Sequence, residues 1–72
     1  MQEMPLDVLE DHVDSQVVVR LKDGERFVGT LTSFDQHMNV VLDPLESEGV
    51  EEYTHVEDTT VIRGDNVVSI RL

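Results

Sequence analysis

The sequence predicts an all-β domain with one short N-terminal helix, built as a five-stranded, strongly bent open barrel. Three observations predict this class: apolar residues that alternate with a period of two after residue 15, turn residues that interrupt the alternation, and a glycine within a strand. The chain has 72 residues, which predicts a single domain over residues 1–72. A domain of this size buries only about 60% of the surface of its unfolded chain, so we expect subunit partners.

The first element is a helix over about residues 5–13. Pro5 suits the first helical position because its missing N–H would have no intrahelical partner. Leu6, Leu9 and Val13 recur at the spacing of one helix face, which predicts an apolar stripe toward the core.

A hairpin of two strands follows the helix. Residues 17–22 alternate between apolar and polar side chains, and a second strand is predicted over residues 25–34. The dipeptide Asp23-Gly24 between them predicts a tight primed turn with positive φ at both central positions. Gly29 is costly within a strand unless the strand bends or another backbone comes close, and a sharp bend lets a small sheet curl into a barrel.

Three more strands are predicted, over residues 38–42, 53–62 and 67–71, with a loop at 43–49 and a turn at 63–66. Residues 59–62 and 67–70 are rich in β-branched side chains and lack proline, so we expect them to form the sheet edges. Edges of this kind can pair with other copies of the chain, and head-to-tail pairing gives a ring if the rotation closes.

Composition excludes several classes of protein. The chain has no cysteine, so it forms no disulfide or thiolate metal site, and a reducing, cytoplasmic setting is expected. No leader sequence is visible, and no apolar run approaches the roughly 20 residues of a membrane span, which predicts a soluble protein with no membrane partner. No zinc-binding pattern, Gly-rich phosphate loop or nucleophile elbow is found, so we predict no enzyme, catalytic residue, metal or cofactor.

The charge is strongly acidic. Sixteen Asp and Glu residues face five basic ones, for a formal net charge of -11. Such an excess can serve solubility alone, but an acidic chain with a single lysine also resembles proteins of halophilic archaea, and we predict a salty cytoplasm. In dilute salt this charge would oppose nucleic-acid binding, because phosphate contacts dominate that affinity.

Two segments resemble the motifs of the Sm-like (Lsm) family. Residues 17–42 resemble the first motif, through the Asp-Gly hairpin and then the run Asp35-Gln36-His37-Met38-Asn39. Residues 61–70 resemble the second, through Ile62-Arg63-Gly64-Asp65-Asn66. These pieces, in this order and at these separations, form a specific signal, and the simple one-domain form is similar to archaeal members.

The resemblance implies a helix-capped bent barrel that assembles into a homo-oligomeric ring, with seven subunits in most archaeal members. It also implies binding of short uridine-rich single-stranded RNA, in RNA processing, small-RNA function or turnover. By match of position, the expected base contacts are His37, Asn39 and Arg63. The supporting residues are Asp35, Gly64 and Asp65.

These residue types suit a splayed uracil. Single-stranded RNA is read by stacking on planar groups and by hydrogen bonds to the pairing edge, and both the His37 imidazole and the Arg63 guanidinium are planar. The Asn39 amide can donate to uracil O4 and accept from N3–H, whereas the flipped amide would match cytosine. Preference for uracil therefore requires a group that holds the amide one way round, and either Asp35 or Asp65 could do this.

A second interpretation is a homo-oligomeric scaffold that binds proteins in ribonucleoprotein assembly, with RNA contact secondary. A ring of seven acidic chains would carry 7 × -11 = -77 formal charges. In molar salt this repulsion is screened within about 3 Å, and stacking suffers less from salt than phosphate contacts do. We therefore predict a ring that loosens or loses RNA as salt is removed.

Overall fold

The computed structural model describes residues 6–46 and 52–72. In chain order the elements are α1 (Leu6–Glu10), β1 (Gln16–Leu21), β2 (Arg26–Phe34), β3 (Val40–Asp43), β4 (Thr54–His55), β5 (Thr60–Ile62), a 3-10 turn (Gly64–Asn66) and β6 (Val67–Arg71). The strands form one six-stranded sheet of order β5-β3-β2-β1-β6, with β4 beside β2. All pairings are antiparallel except the one between β2 and β4. The prediction of an all-β fold with a short N-terminal helix and a strongly bent open sheet is confirmed.

The helix is shorter than predicted. Beyond Glu10 the backbone bonds tighten to the three-residue spacing, with the N–H of His12 donating to the carbonyl of Leu9 over 2.9 Å. Asp14 then adopts a φ of 75°, which ends the helical turns. Of the predicted apolar stripe, Leu9 is fully buried, but Leu6 stays exposed. Pro5 lies outside the described residues.

The β1–β2 hairpin is confirmed, but the prediction of a primed turn is wrong. The Gly24 N–H donates to the Leu21 carbonyl over 2.9 Å, and the Leu21 N–H donates to the Glu25 carbonyl over 2.8 Å. Among the residues of this turn only Gly24 has a positive φ, of 91°. The loop is therefore three residues long, with an ordinary turn completed by a left-handed glycine, and Asp23 needs no strained backbone.

Gly29 lies where the sheet closes on itself. A Cβ at this position would stand 2.9 Å from the carbonyl oxygen of Asp43 and 3.0 Å from a methyl carbon of Val56. The predicted close approach of another backbone is therefore present, from β3. The register of β2 with β3 shifts between Leu31 and Ser33, and a shift of this kind bends a strand.

The predicted fourth strand, residues 53–62, is two strands in the structure, so the count of five is corrected to six segments. β4 lies parallel to the start of β2, whereas β5 pairs with β3. Between them Val56 enters the core, and the hydroxyl of Thr60 donates to the carbonyl of Asp58 over 2.8 Å. Local bonds from such polar side chains compete with the sheet ladder, which explains the break.

The two edges of the sheet are β5 and β6, as predicted. Each edge carries a large exposed apolar side chain, with Val61 64% exposed and Val68 57% exposed.

One core joins the helix to the inner face of the sheet. The buried members of the core cluster are Leu9, Val17, Val19, Leu31, Val40, Leu42, Val56, Ile62 and Ile70.

No helix among residues 6–46 and 52–72 has the length and apolar character needed to cross a membrane.

Candidate nucleic-acid interface

Two loops lie side by side at one end of the sheet. The first, residues 35–39, joins β2 to β3, and the second begins at Arg63 and joins β5 to β6. β3 and β5 are neighbours, and Val40 is paired with Ile62. The pairing therefore places the end of the first loop beside the start of the second, although 24 positions separate residues 39 and 63.

Asp35 organises the first loop. Its Oδ1 accepts hydrogen bonds from the backbone N–H of His37 over 2.9 Å and of Asn39 over 3.1 Å. The backbone of Asp35 is also bonded across the loop, with its N–H donating to the Asn39 carbonyl over 3.1 Å. An Asp that accepts from the backbone two residues on is a common way to hold a tight turn. Met38 takes a φ of 65° within this loop.

The side-chain amide of Asn39 is bonded at both ends. Its Nδ2 donates to Asp35 Oδ2 over 2.9 Å, and its Oδ1 accepts from the Gly64 N–H over 2.7 Å. A carboxylate only accepts and a backbone N–H only donates, so the amide fits these neighbours in one orientation. One N–H and one lone pair of the amide remain available to a ligand.

These bonds also act on the charge of Asp35. The hydrogen bond from the Asn39 side chain, followed by those from the backbone of Asn39 and His37, lowers the pKa of Asp35 below its ordinary value, against a smaller opposing effect of desolvation. Donors aimed at a carboxylate favour its ionised form. Asp35 therefore stays an acceptor throughout the neutral range.

Gly64 allows the two loops to touch. A Cβ on Gly64 would collide with the carbonyl oxygen of His37 and would stand 2.9 Å from the carbonyl carbon of Met38. These contacts are with backbone, which cannot move aside as a flexible side chain can. Glycine is therefore required at position 64, because a larger residue would push apart the two loops that the Asn39 amide joins.

Arg63 and His37 project into open space beside this joint. Arg63 Nη2 lies 3.5 Å from Asp65 Oδ2, with the two side chains 77% and 66% exposed, and this is the one ion pair in the described parts of the chain. An open depression of about 440 Å³ is lined by His37, Asn39, Arg63, Gly64 and Asp65. A second depression adjoins it and is lined by Ser33, Phe34, Asp35, Asn39, Val41, Val61 and Arg63.

All six residues singled out in the sequence lie in these two loops. Of the two carboxylates considered, Asp35 orients the Asn39 amide, while the hydrogen bond of Asp65 is to Arg63. Sequence reasoning missed the apolar side chains of Phe34, Val41 and Val61, which line the second depression. The alternation of residues along β3 and β5 could have found Val41 and Val61, because both belong to the face opposite the core.

No cluster of three or more potential metal-ligating side chains occurs within residues 6–46 and 52–72. The site instead combines an imidazole, a guanidinium and an amide of defined orientation, and apolar side chains line the adjoining depression. On a small bent-sheet protein, such an open depression can take up a planar ligand that has its own donors and acceptors.

Comparison with known proteins identifies the family. The LSM domain matches residues 7–72, and the chain belongs to the LSM domain family. An snRNP Sm-like protein of Methanococcoides burtonii is 44% identical over 70 residues, which cover 97% of each chain.

Solved structures agree. The SmAP1 heptamer of P. aerophilum superposes with a TM-score of 0.78 at 35% identity, covering 99% of this chain and 95% of that one. The Sm protein of Pyrococcus abyssi, solved in complex with a uridine heptamer, superposes with a TM-score of 0.70 at 40% identity, covering 96% and 97%.

Proposed function

We propose that this protein is a ring-forming RNA-binding protein that recognises short uridine-rich single-stranded RNA. The observation that carries the proposal is the Asn39 amide, held by Asp35 and by the Gly64 N–H in one orientation. In that orientation its remaining N–H can donate to uracil O4 while its oxygen accepts from uracil N3–H. Cytosine presents the opposite pattern at these positions and would leave both groups unpaired.

The planar groups on either side of the amide would hold the base. His37 and Arg63 line the same depression, from different loops, and both are exposed. A base lying between an imidazole and a guanidinium gains stacking worth roughly 1–3 kcal/mol. Asp65, which pairs with Arg63, would keep the guanidinium over the depression. Gly64 would let the loop backbone come close to the base or ribose.

Ring assembly supplies the repetition that a short site needs. The free edges β5 and β6 each carry a valine whose side chain is largely exposed, which suits head-to-tail strand pairing between copies. Two observations on relatives support this: an archaeal Sm protein forms a heptamer, and another was solved with a uridine heptamer. A ring places one base site per subunit around its axis, so weak contacts act together by effective concentration.

We also propose that the protein binds RNA without catalysing a reaction on it, and that it works in the cytoplasm. Its relatives include an Sm heptamer and an Sm protein solved with a uridine heptamer, and the candidate site offers stacking and edge contacts rather than an activated nucleophile. RNA-processing proteins would then act on the RNA that the ring holds.

Native mass spectrometry in concentrated salt, with and without a uridine heptamer, tests this function. We expect a ring of identical subunits that binds the heptamer. Asn39→Ala and His37→Ala should each weaken heptamer binding roughly tenfold or more while the ring persists, because neither side chain lies on an edge strand. His12→Ala is the matched control, since His12 bonds to Val8 at the other end of the described chain. RNA binding that survives both site substitutions would instead favour a protein-binding scaffold.

A further inference from the structure

The outer face of the sheet holds a concentration of positive charge. Arg20, Arg26 and Arg71 line one small recess there, together with Tyr53 and Ser69. The chain has five basic residues and sixteen acidic ones. Three of the five cations therefore share one face of a protein that is acidic elsewhere.

The strand register makes this proximity unavoidable. Arg20 of β1 is paired directly with Arg26 of β2. On its other side Arg20 is paired with Ser69 of β6, and Arg71 lies two residues further along, opposite Val18. Side chains directly opposite each other on a sheet have Cβ atoms about 4.5–5.5 Å apart, and like charges at that distance destabilise the pair.

Nothing in the described chain neutralises these three guanidiniums. None of them has a carboxylate oxygen within 4.0 Å among residues 6–46 and 52–72, where the one ion pair is that of Arg63. A surface that keeps mutually repelling cations unpaired, in a chain rich in carboxylates, is suited to an anion from outside.

The planar groups on this face indicate which anion. The Arg26 guanidinium carbon lies 5.3 Å from the centre of the Tyr53 ring, in a cation–π contact. Surfaces for single-stranded nucleic acid combine cations that follow the backbone with aromatic rings on which bases stack. All three cations are arginines, which bind phosphate through two hydrogen bonds and are less strongly hydrated than lysine. These properties favour an RNA strand over an acidic protein.

Ring assembly would leave the centre of this face open. In the proposed ring copies pair through β5 and β6, whereas Arg20 and Arg26 lie on β1 and β2, inside the sheet. Arg71 is the last residue of edge strand β6 and would lie beside the neighbouring copy. Arg26 begins β2, and the loop that carries His37 follows the other end of the same strand. At about 3.3 Å per residue, β2 extends at most about 26 Å from Arg26 to Phe34, and the loop that forms the uridine site begins at the next residue.

We infer that Arg20, Arg26, Arg71 and Tyr53 form a second contact for single-stranded RNA, which takes the backbone phosphates of a strand extending beyond the uridine site. The inference rests on the proposed function, because one RNA strand would occupy both the uridine site and the arginine face. A short oligouridine fills the uridine site alone, whereas a long strand also reaches the arginine face and gains affinity there by effective concentration.

The test compares two probes on the assembled ring by fluorescence anisotropy: a uridine heptamer and long polyuridine. Arg20→Gln removes the central cation, and Lys22→Gln, two residues away in the β1–β2 turn, makes the same change of net charge outside the recess that the three arginines line. We expect Arg20→Gln to leave heptamer binding unchanged and to weaken polyuridine binding roughly fivefold or more. Its affinity should also fall less steeply with salt than that of the unchanged chain. Lys22→Gln should alter neither probe by more than a small factor, and Arg20→Lys should restore part of the loss.

Polyuridine binding that is equal in Arg20→Gln and in the unchanged ring would overturn the inference. A face that binds an acidic protein instead of RNA would give this result. Photo-crosslinking of 4-thiouridine polyuridine to the unchanged ring, mapped by mass spectrometry, gives a readout that needs no variant. A crosslink at Tyr53 is expected, and its absence counts against the second contact. Failure of the proposed function is distinct, because the uridine heptamer itself would then not bind.

Discussion

The two loops of the candidate uridine site and the arginine face of the sheet use polar groups in opposite ways. In the loops, the Asn39 amide bonds to both Asp35 and Gly64, so it has one orientation. On the sheet face, Arg20 and Arg26 are paired by strand register and have no carboxylate partner in the described chain. Under the proposed function, the fixed geometry of the loops would serve selection of a base, and the charge and flat surfaces of the sheet face would serve retention of a strand.

The largest effect is expected at the joint of the two loops. Gly64→Ala should reduce uridine heptamer binding by roughly a hundredfold or more, because its Cβ would collide with the His37 carbonyl and displace both loops. Overpacking of this kind also costs about 1–3 kcal/mol of stability, measurable by chemical unfolding. Gly24→Ala is the control, since its Cβ would meet nothing within 4 Å and only its φ of 91° is strained. Equal RNA affinity in the two variants would refute the role given to Gly64.

Loss of the stacking ring should come next. His37→Ala should weaken the heptamer roughly tenfold or more, because a base loses one of its two flat neighbours. The fold should be unaffected, since His37 is exposed and only its backbone bonds to Asp35. His37→Phe keeps a planar ring and should recover much of the affinity in the same titration. A phenylalanine variant as weak as the alanine one would argue against stacking.

Base selection depends on the carboxylate that holds the amide. Asp35→Ala should lower the preference for oligouridine over oligocytidine by roughly tenfold, the loss expected for a hydrogen bond to a charged group. Asp65→Ala should keep the preference, because Asp65 bonds to Arg63 rather than to Asn39. Competition binding with both homopolymers measures the ratio directly. A preference lost in Asp65→Ala and kept in Asp35→Ala would reverse the assignment.

Protonation of Asp35 at acid pH should destabilise the same loop, with a smaller effect than the substitutions above. The pKa of Asp35 is lowered in the folded protein from an ordinary value of 3.8. The stability contributed by its ionised form is therefore complete above that value and is lost as pH falls through the folded pKa. The difference in free energy of unfolding between the unchanged chain and Asp35→Asn should be constant from neutral pH to about pH 4 and should shrink below it. A difference that already shrinks near pH 6 would contradict the lowered pKa.

The smallest effect concerns the arginine face without RNA. Arg20→Gln relieves the repulsion from Arg26 and leaves the Arg26–Tyr53 contact intact. The variant should therefore be more stable than the unchanged chain by about 0.2–1 kcal/mol in thermal unfolding, with the gain largest at low salt. Destabilisation would show that Arg20 has a structural partner and is not kept for an external anion.

Where prediction from the sequence failed, two local patterns competed. Residues 53–62 alternate well enough to indicate one strand, but polar bonds at Asp58 and Thr60 break it, and each half pairs with a different strand. Asp23-Gly24 indicated a hairpin and its place, yet the turn is one residue longer than a primed turn. The arginine face gave no motif at all. A two-residue turn at Asp23-Gly24 would have placed Arg20 opposite Phe27, whereas the longer turn pairs it with Arg26.

The order of residues alone predicted the class of fold and the two sheet edges, because period and turn composition are properties of the chain itself. The six residues of the candidate site were predicted from the resemblance of two segments to Sm-like motifs. Only the tertiary structure decided that Asp35 rather than Asp65 orients Asn39, that Gly64 is needed for contact with His37, and that three arginines share one face. Each of these depends on which strands become neighbours, and Asn39 meets Gly64 solely because β3 pairs with β5. Pairings between distant segments arise from packing of the whole core, which no local stretch of sequence encodes.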